Sequence, residues 1–262
     1  MPSSLPLARL LPLVVEIVRE AGQKAMAIYE QPFKVWEKED ESPLTEADLA
    51  ANEHILDGLR RLQPTYPILS EENADIPWSE RQHWETFWLV DPLDGTKEFV
   101  NRTGEFTVNV ALVHRGQAVL GVVDAPAVGD CYFGAIGQGA YKVNAESMRA
   151  IHCKAPAEGA TVRIVASKSH LDDKTRAFIE SIPNSEFVQA GSSLKLCLLA
   201  EGKADLYPRL GPTSEWDIAA AQAVLEAAGG QVLKPKFSIA PHGHIALVVD
   251  TEGNCIGLHS MG

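Results

Sequence analysis

The chain has little of what marks the common non-enzymatic classes. Its four cysteines, Cys131, Cys153, Cys197 and Cys255, stand far apart with no Cys-x-x-Cys spacing. That argues against a zinc ribbon or a disulfide framework and fits reduced thiols in a cytoplasmic protein. Basic residues are few. With 23 Lys and Arg against 35 Asp and Glu the net charge is −12, which argues against broad attraction to nucleic-acid polymer or anionic membrane. No apolar run suits an integral membrane span: Leu5 to Val18 is interrupted by Pro6, Arg9, Pro12 and Glu16 and lacks a small-residue cleavage site. It reads as an amphipathic helix continuing to about Tyr29. Repeats and low-complexity tracts are absent. What remains is 262 residues, enough to bury a large core as one domain or two closely joined ones.

Apolar periodicity predicts helices at Leu10 to Tyr29, Glu46 to Leu62, Lys174 to Ser181, Leu194 to Glu201 and Asp217 to Ala228. It predicts strands at Pro67 to Ser70, Thr86 to Val90, Thr107 to His114, Gln117 to Asp124, Cys131 to Ala135, Ala140 to Val143, Arg163 to Ala166, Ala204 to Tyr207 and Ile245 to Val249. The middle of the chain reads as hairpins, whereas helices and strands alternate from Val162 onward. The polar segment Lys154 to Gly159 suggests a boundary between an N-terminal α+β domain, residues 1–157, and a C-terminal α/β domain, residues 158–262.

The most informative stretch is Trp88-Leu-Val-Asp-Pro-Leu-Asp-Gly-Thr-Lys-Glu-Phe99, an apolar strand running into two carboxylates three positions apart. Pro92 fixes one dihedral and Gly95 permits a tight reversal, so Asp91, Asp94 and the Leu93 carbonyl can present oxygens to a hard cation. A plain polar turn would account for the same residues. Ile68-Leu-Ser-Glu-Glu-Asn73 repeats the pattern of a short apolar strand ending in carboxylates, with solvated charge as the alternative for Glu71 and Glu72. Glu215-Trp-Asp-Ile218 opens a helix that ends at Gly229-Gly230, where Asp217 either favours the helix dipole or faces the same cations. Thr45 followed by Asp48 has capping-box spacing, which by itself explains both residues.

Taken in order, these four segments resemble the inositol monophosphatase superfamily, and the resemblance covers roughly Leu10 to Leu233. Asp94-Gly-Thr-Lys-Glu-Phe99, Ala166-Ser-Lys-Ser-His170, Gly191-Ser-Ser-Leu-Lys195 and Leu206-Tyr-Pro-Arg-Leu-Gly-Pro-Thr213 are similar to its bacterial 3′(2′),5′-bisphosphate nucleotidase branch. The resemblance implies an α+β/α/β fold, a layered αβαβα sandwich of the inositol monophosphatase and fructose-1,6-bisphosphatase type. It implies a magnesium-dependent, lithium-sensitive phosphomonoesterase in sulfur metabolism that hydrolyses adenosine 3′,5′-bisphosphate to AMP and phosphate with a metal-activated water. Two or three Mg2+ would be held by Glu71, Asp91, Asp94, Asp217 and the Leu93 carbonyl, while Asp48 and Thr96 prepare the water beside Glu71. Lys97, Ser167, His170, Gly191, Ser192, Ser193, Lys195 and Arg209 would meet the nucleotide, the Gly-Ser-Ser turn, Lys195 and Arg209 holding the phosphate that does not react.

The implied partner is a small phosphorylated nucleotide, the implied assembly a homodimer, and the location cytoplasmic, with peripheral contact at the inner membrane as a variant. An inositol monophosphatase or sugar-phosphate phosphatase of the same fold is the alternative activity, and a catalytically silent nucleotide-binding protein is a third. The C-terminus departs from the family pattern. His242-Gly-His-Ile-Ala-Leu-Val-Val-Asp-Thr-Glu-Gly-Asn-Cys-Ile-Gly-Leu-His259 reads as a hairpin that replaces an edge strand, with His242, His244 and His259 as an alternative metal set.

Overall fold

The computed structural model describes residues 5–38, 43–154, 156–157, 159–166, 172–209, 213–238, 244–249 and 255–260, with backbone alone from residue 231. In chain order the elements are α1 (Leu7–Tyr29), β1 (Val35–Glu37), β2 (Pro43–Thr45), α2 (Glu46–Arg60) and β3 (Ile68–Ser70). A 3₁₀ turn (Glu71–Asn73) leads to α3 (Trp78–Arg81), β4 (Thr86–Asp94), α4 (Thr96–Val100), β5 (Thr107–His114) and β6 (Gln117–Ala125). Then come β7 (Asp130–Ala135), β8 (Gly139–Val143), β9 (Met148–Ile151), β10 (Val162–Ala166), α5 (Asp173–Glu180), β11 (Ser185–Gln189), α6 (Leu194–Ala200) and α7 (Glu215–Ala227). The chain closes with β12 (Gln231–Ser238), β13 (His244–Val249) and β14 (Cys255–Ser260).

Strands β3 to β9 form one sheet in sequence order, with β3 and β4 parallel and each later pair antiparallel. Both faces of this sheet are covered, which is why its central strands read as continuous apolar runs rather than alternating ones. Because side chains alternate along a strand, Trp88 and Val90 of β4 enter one core while Leu89 enters the other. On the first face the stripe Leu10, Val14 and Val18 of α1 and Ala51, Ile55 and Leu59 of α2 pack against Trp88, Val110 and Leu120. The opposite core joins Ala220, Val224 and Leu225 of α7 and Leu196 of α6 to Leu89, Ala111 and Val123, and reaches Ile164 and Val165 of β10. Each such buried Leu, Ile or Val side chain stabilises the fold by about 1.5–3 kcal/mol.

The layers are therefore α1 and α2, the seven-stranded sheet, α6 and α7, and the parallel pair β10–β11, with α5 joining the second core through Ile179. This is the expected αβαβα sandwich. Helix α7 approaches the sheet unusually closely. A Cβ at Gly121 of β6 would lie 2.0 Å from the Ala220 carbonyl oxygen, so only glycine lets the helix that carries Asp217 seat at this depth.

Some local expectations change. Ala204 to Tyr207 is not a strand: Leu206 makes one isolated bridge to Ile164, because the Asp205 and Leu206 amides both turn to the same Arg163 carbonyl instead of extending a ladder. Strand β11, Ser185–Gln189, was not evident because its side chains are mostly exposed and polar. The expected C-terminal hairpin is present as β13 paired antiparallel with β14, and β12 joins it in a three-stranded sheet. In that register His244 stands opposite Ser260 and His259 opposite Ile245, so the two histidine positions are not cross-strand partners. His242 lies outside the described residues.

Candidate active site

Four chain segments deliver carboxylates to one end of the sheet. Adjacent parallel strands β3 and β4 end there, placing Glu71 in the 3₁₀ turn and Asp91 and Asp94 on β4. Asp91 is 1% exposed, and its Oδ1 accepts from the Leu93 amide at 3.1 Å, a turn set by Pro92. Gly95, with φ of +90°, reverses the chain so that Thr96 opens α4. The Thr96 hydroxyl lies 3.1 Å from the Leu93 carbonyl oxygen and 3.2 Å from Asp48 Oδ1.

Asp48 serves both readings of its sequence. Its Oδ2 accepts from the Thr45 amide at 2.7 Å and the Thr45 hydroxyl at 2.6 Å, which completes the capping box of α2, while Oδ1 faces Thr96. Asp217 is likewise the third residue of a capped helix, accepting from the Ser214 amide at 3.0 Å and the Thr213 hydroxyl at 2.8 Å. Helix caps thus hold two acidic side chains rigidly at the site.

The charges oppose one another. Burial first, then the charges of Glu71, Asp94 and Asp217, hold the Asp91 carboxyl well above the usual range. Burial and the Asp94 charge push Asp217 up to about 7, and burial pushes Asp48 up to about 6 against the Thr45 hydrogen bonds. Glu71 is raised by burial, with Lys38 opposing. Lys38, from the end of β1, bridges Glu71 at 2.9 Å and Glu72 at 2.7 Å. Although burial disfavours its charge, those two carboxylates hold its ammonium above the ordinary lysine range.

A buried all-oxygen set of mutually repelling carboxylates fits a hard divalent cation, which relieves the repulsion that otherwise raises their pKa values. Each carboxylate is meanwhile turned to a local donor, and among the described residues no three acid, imidazole or thiol groups converge closely enough to hold one ion. A raised folded-state pKa means that the folded protein binds the proton more tightly than the unfolded chain. Stability from Asp48 and Asp217 is therefore present near their unfolded values and declines as pH rises from about 4 to about 7. Without divalent cations the thermal midpoint should fall across that window, and saturating Mg2+ should flatten the decline. A profile with the same slope with and without the ion would show that these carboxylates do not face it.

A cleft of about 540 Å³ opens onto the site. Glu71, Asp94, Thr96, Lys97, Gly191, Ser192, Ser193, Lys195, Arg209 and Asp217 line it, whereas Asp48, Asp91 and Leu93 are buried and do not. The structure thus brings together all the site residues expected from the sequence except Ser167 and His170, which lie outside the described residues. Their geometry differs from expectation at the Gly-Ser-Ser turn. The Ser192 hydroxyl and the Ser193 amide at 2.8 Å donate to Asp94 Oδ2, and the Ser193 hydroxyl lies between that oxygen at 3.0 Å and the Asp217 carbonyl at 2.7 Å. Ser192 adopts φ of +51°, a conformation that brings both serines to the same carboxylate oxygen. Lys195 is almost wholly buried, its Nζ donating to the Ser192 carbonyl at 2.6 Å and lying 5.6 Å from the centre of the Tyr207 ring. Burial lowers its pKa, with the Asp94 charge opposing.

Several participants escaped the sequence. Lys38 carries no local signal. Glu98 and Tyr207 line the cleft from within segments already singled out, and Glu105 faces it beside Gly191, where a Cβ would meet Glu105 Cβ at 2.8 Å. Asn109, whose amide donates to Ser193 Oγ at 3.0 Å, was legible as the one amide side chain in the otherwise apolar run of β5.

A model of the inositol monophosphatase family matches residues 7–253. The 3′(2′),5′-bisphosphate nucleotidase CysQ of Salmonella typhimurium is 46% identical over 225 residues, spanning 85% of this chain and 89% of that protein. The protein of the same name from Haemophilus influenzae is 36% identical over 87% of this chain and 85% of its own length. Among solved structures, CysQ from Bacteroides thetaiotaomicron, a bacterial member of the inositol monophosphatase family, matches with a TM-score of 0.76 at 38% identity, covering 89% of this chain and 90% of that one. An inositol monophosphatase from Anabaena matches with a TM-score of 0.69 at 26% identity, covering 87% and 84%. With its layered fold and the carboxylates at the ends of β3 and β4, this chain belongs to the inositol monophosphatase family.

Proposed function

We propose that this protein is a 3′(2′),5′-bisphosphate nucleotidase that hydrolyses adenosine 3′,5′-bisphosphate to AMP and phosphate. The observation that carries the reading is the 46% identity to a nucleotidase over nearly its whole length, supported by a cleft that sets Lys195 and Arg209 beside the carboxylates. Metal dependence belongs to the family. Our reading of the donor set is two or three Mg2+ on Glu71, Asp91, Asp94, Asp217 and the Leu93 carbonyl. Bound there, magnesium supplies charge neutralisation at the phosphoryl oxygens and acidifies water.

The chain's own residues do the remaining work. Thr96, with its hydrogen directed to Asp48 Oδ1, keeps lone pairs with which to accept from water; as it takes the water's proton it passes its own to the ionised Asp48. Lys97, Gly191, Ser167 and His170 are assigned to the nucleotide, and Ser192 and Ser193, whose donors are turned to Asp94, shape the turn assigned to it. Lys195 and Arg209 bind the phosphate that stays. The division into residues 1–157, carrying most metal ligands, and 158–262, carrying the nucleotide segments, follows the same separation of labour. A homodimer in the cytoplasm is the assembly and location that accompany this reading; among the described residues no helix is long and apolar enough to cross a membrane.

Phosphate release with Mg2+ from adenosine 3′,5′-bisphosphate, adenosine 3′-phosphate 5′-phosphosulfate and inositol 1-phosphate tests the assignment. Preference for inositol 1-phosphate would overturn it. Charge-assisted contacts contribute about 1.5–3 kcal/mol each, so Lys195→Met should lower kcat/KM for the bisphosphate roughly 10- to 150-fold. At saturating Mg2+, where the link from Lys195 through Ser192 to Asp94 matters least, hydrolysis of a monophosphate should barely change. Equal losses on both substrates would remove Lys195 from the second phosphate.

A further inference from the structure

Asn52 sits one helical turn beyond Asp48 on the same face of α2, buried, with its amide directed at the neighbouring segment. Its Oδ1 accepts from the Ser70 hydroxyl at 2.7 Å, and its Nδ2 donates to Asn73 Oδ1 at 2.8 Å. Ser70 is the last residue of β3 and Asn73 the last of the 3₁₀ turn, so one amide grips both residues that bracket Glu71 and Glu72. The turn is too short to hold itself: a three-residue 3₁₀ segment offers little internal hydrogen bonding. Among the described residues a second side-chain anchor is Lys38, just after β1, which reaches Glu71 and Glu72.

We propose that Asn52 is a positioning residue that fixes the separation between Asp48 and Glu71. The idea rests on the proposed roles of those two acids beside the attacking water. Asp48 is held to α2 by its cap, and Glu71 is held at the end of β3. Helix and strand are joined here by no backbone ladder, so the Asn52 amide, together with apolar packing, sets the register between them. Small displacements matter because water must be held in line with the phosphoryl group. Since both amide groups of Asn52 are used, a shorter side chain loses both contacts and an apolar one leaves the Ser70 hydroxyl buried without its acceptor.

The test compares Asn52→Ala, Asn73→Ala and the double variant with the parent protein. Asn73 is exposed, so its truncation removes half of the clamp at little risk to folding. Loss of one neutral hydrogen bond corresponds to about a fivefold effect and loss of both to about 10- to 30-fold. We expect kcat for the bisphosphate to fall by those factors with KM nearly unchanged. Calorimetric titration with Mg2+ alone should show weakened binding in both single variants, and the double variant should match Asn52→Ala rather than multiply the losses. Unchanged Mg2+ affinity and kcat in a folded Asn52→Ala protein, whatever its thermal midpoint, would overturn the proposal. Asp48→Asn and Glu71→Gln distinguish this from failure of the underlying roles: full activity in those two would withdraw the roles themselves, whereas lost activity there with an intact Asn52→Ala would withdraw only the clamp.

Discussion

Asp91→Asn should raise the stability of the metal-free protein while lowering turnover by more than about 100-fold. Losing an outer-sphere partner of a bound metal typically costs 10- to 100-fold, and a direct anionic ligand should exceed that. The stabilisation arises from the same feature as the loss. Asp91 is fully buried among Glu71, Asp94 and Asp217, and its charge is opposed by burial and by all three. An amide of nearly equal volume removes that repulsion and can still accept from the Leu93 amide through Oδ1. Thermal midpoints measured in chelator and turnover measured across a Mg2+ titration should therefore move in opposite directions. A variant that is destabilised without metal, or active at parental rates with it, would show that Asp91 is a structural acid and not a ligand.

Thr96→Val should reduce kcat by about 100-fold or more, within the range that positioned proton-transfer groups contribute, while Mg2+ affinity changes little. Valine conserves shape but removes the hydroxyl that links the Leu93 carbonyl to Asp48. Thr96→Ser keeps the hydroxyl and should retain most of the activity, which separates chemistry from packing. If Val and Ser were equally impaired, the methyl group would be what matters and Thr96 would belong to the packing of α4. Asp48→Asn then decides how its two duties divide: the amide oxygen can still accept from the Thr45 amide and keep the cap, so lost turnover at a parental or raised thermal midpoint assigns Asp48 to proton acceptance, whereas parental turnover leaves it the cap alone.

Much of this arrangement was legible in advance where the physics is local. Strand β5 begins and ends at the expected residues because an apolar run closed by His114-Arg-Gly-Gln117 has few alternatives. Asp91 and Asp94 were readable because Pro92 restricts the backbone between them and Gly95 just after them permits the reversal, with φ of +90°. Capping boxes are equally local: the one at Thr45 and Asp48 is legible in its spacing, whereas Asp217, expected to favour the helix dipole, is also the third residue of a capped helix. The rest depends on contacts distant in sequence. Lys38 meets Glu72 across 34 positions, and Ser193 meets Asp94 across 99, so no window of sequence contains either pair. In sequence the serines read as anion donors because hydroxyls and an amide at a turn suit any anion. Which anion is a matter of tertiary structure, and in this fold Asp94 is the one they meet.

That meeting has a consequence for how kinetic data on this enzyme should be interpreted. Lys195 holds the Ser192 carbonyl from one side while Asp94 receives both serine side chains from the other, so the Gly191–Ser193 turn and the Asp94 end of β4 are parts of one mechanical linkage. Apparent substrate affinity and apparent ion requirement are then not independent axes. With magnesium on Asp94, a serine variant whose only recorded defect is a raised KM at fixed magnesium would be misfiled as a recognition mutant, because the same defect should shrink when the ion is raised. Two-dimensional titrations are the natural assay for any residue between Ser192 and Lys195.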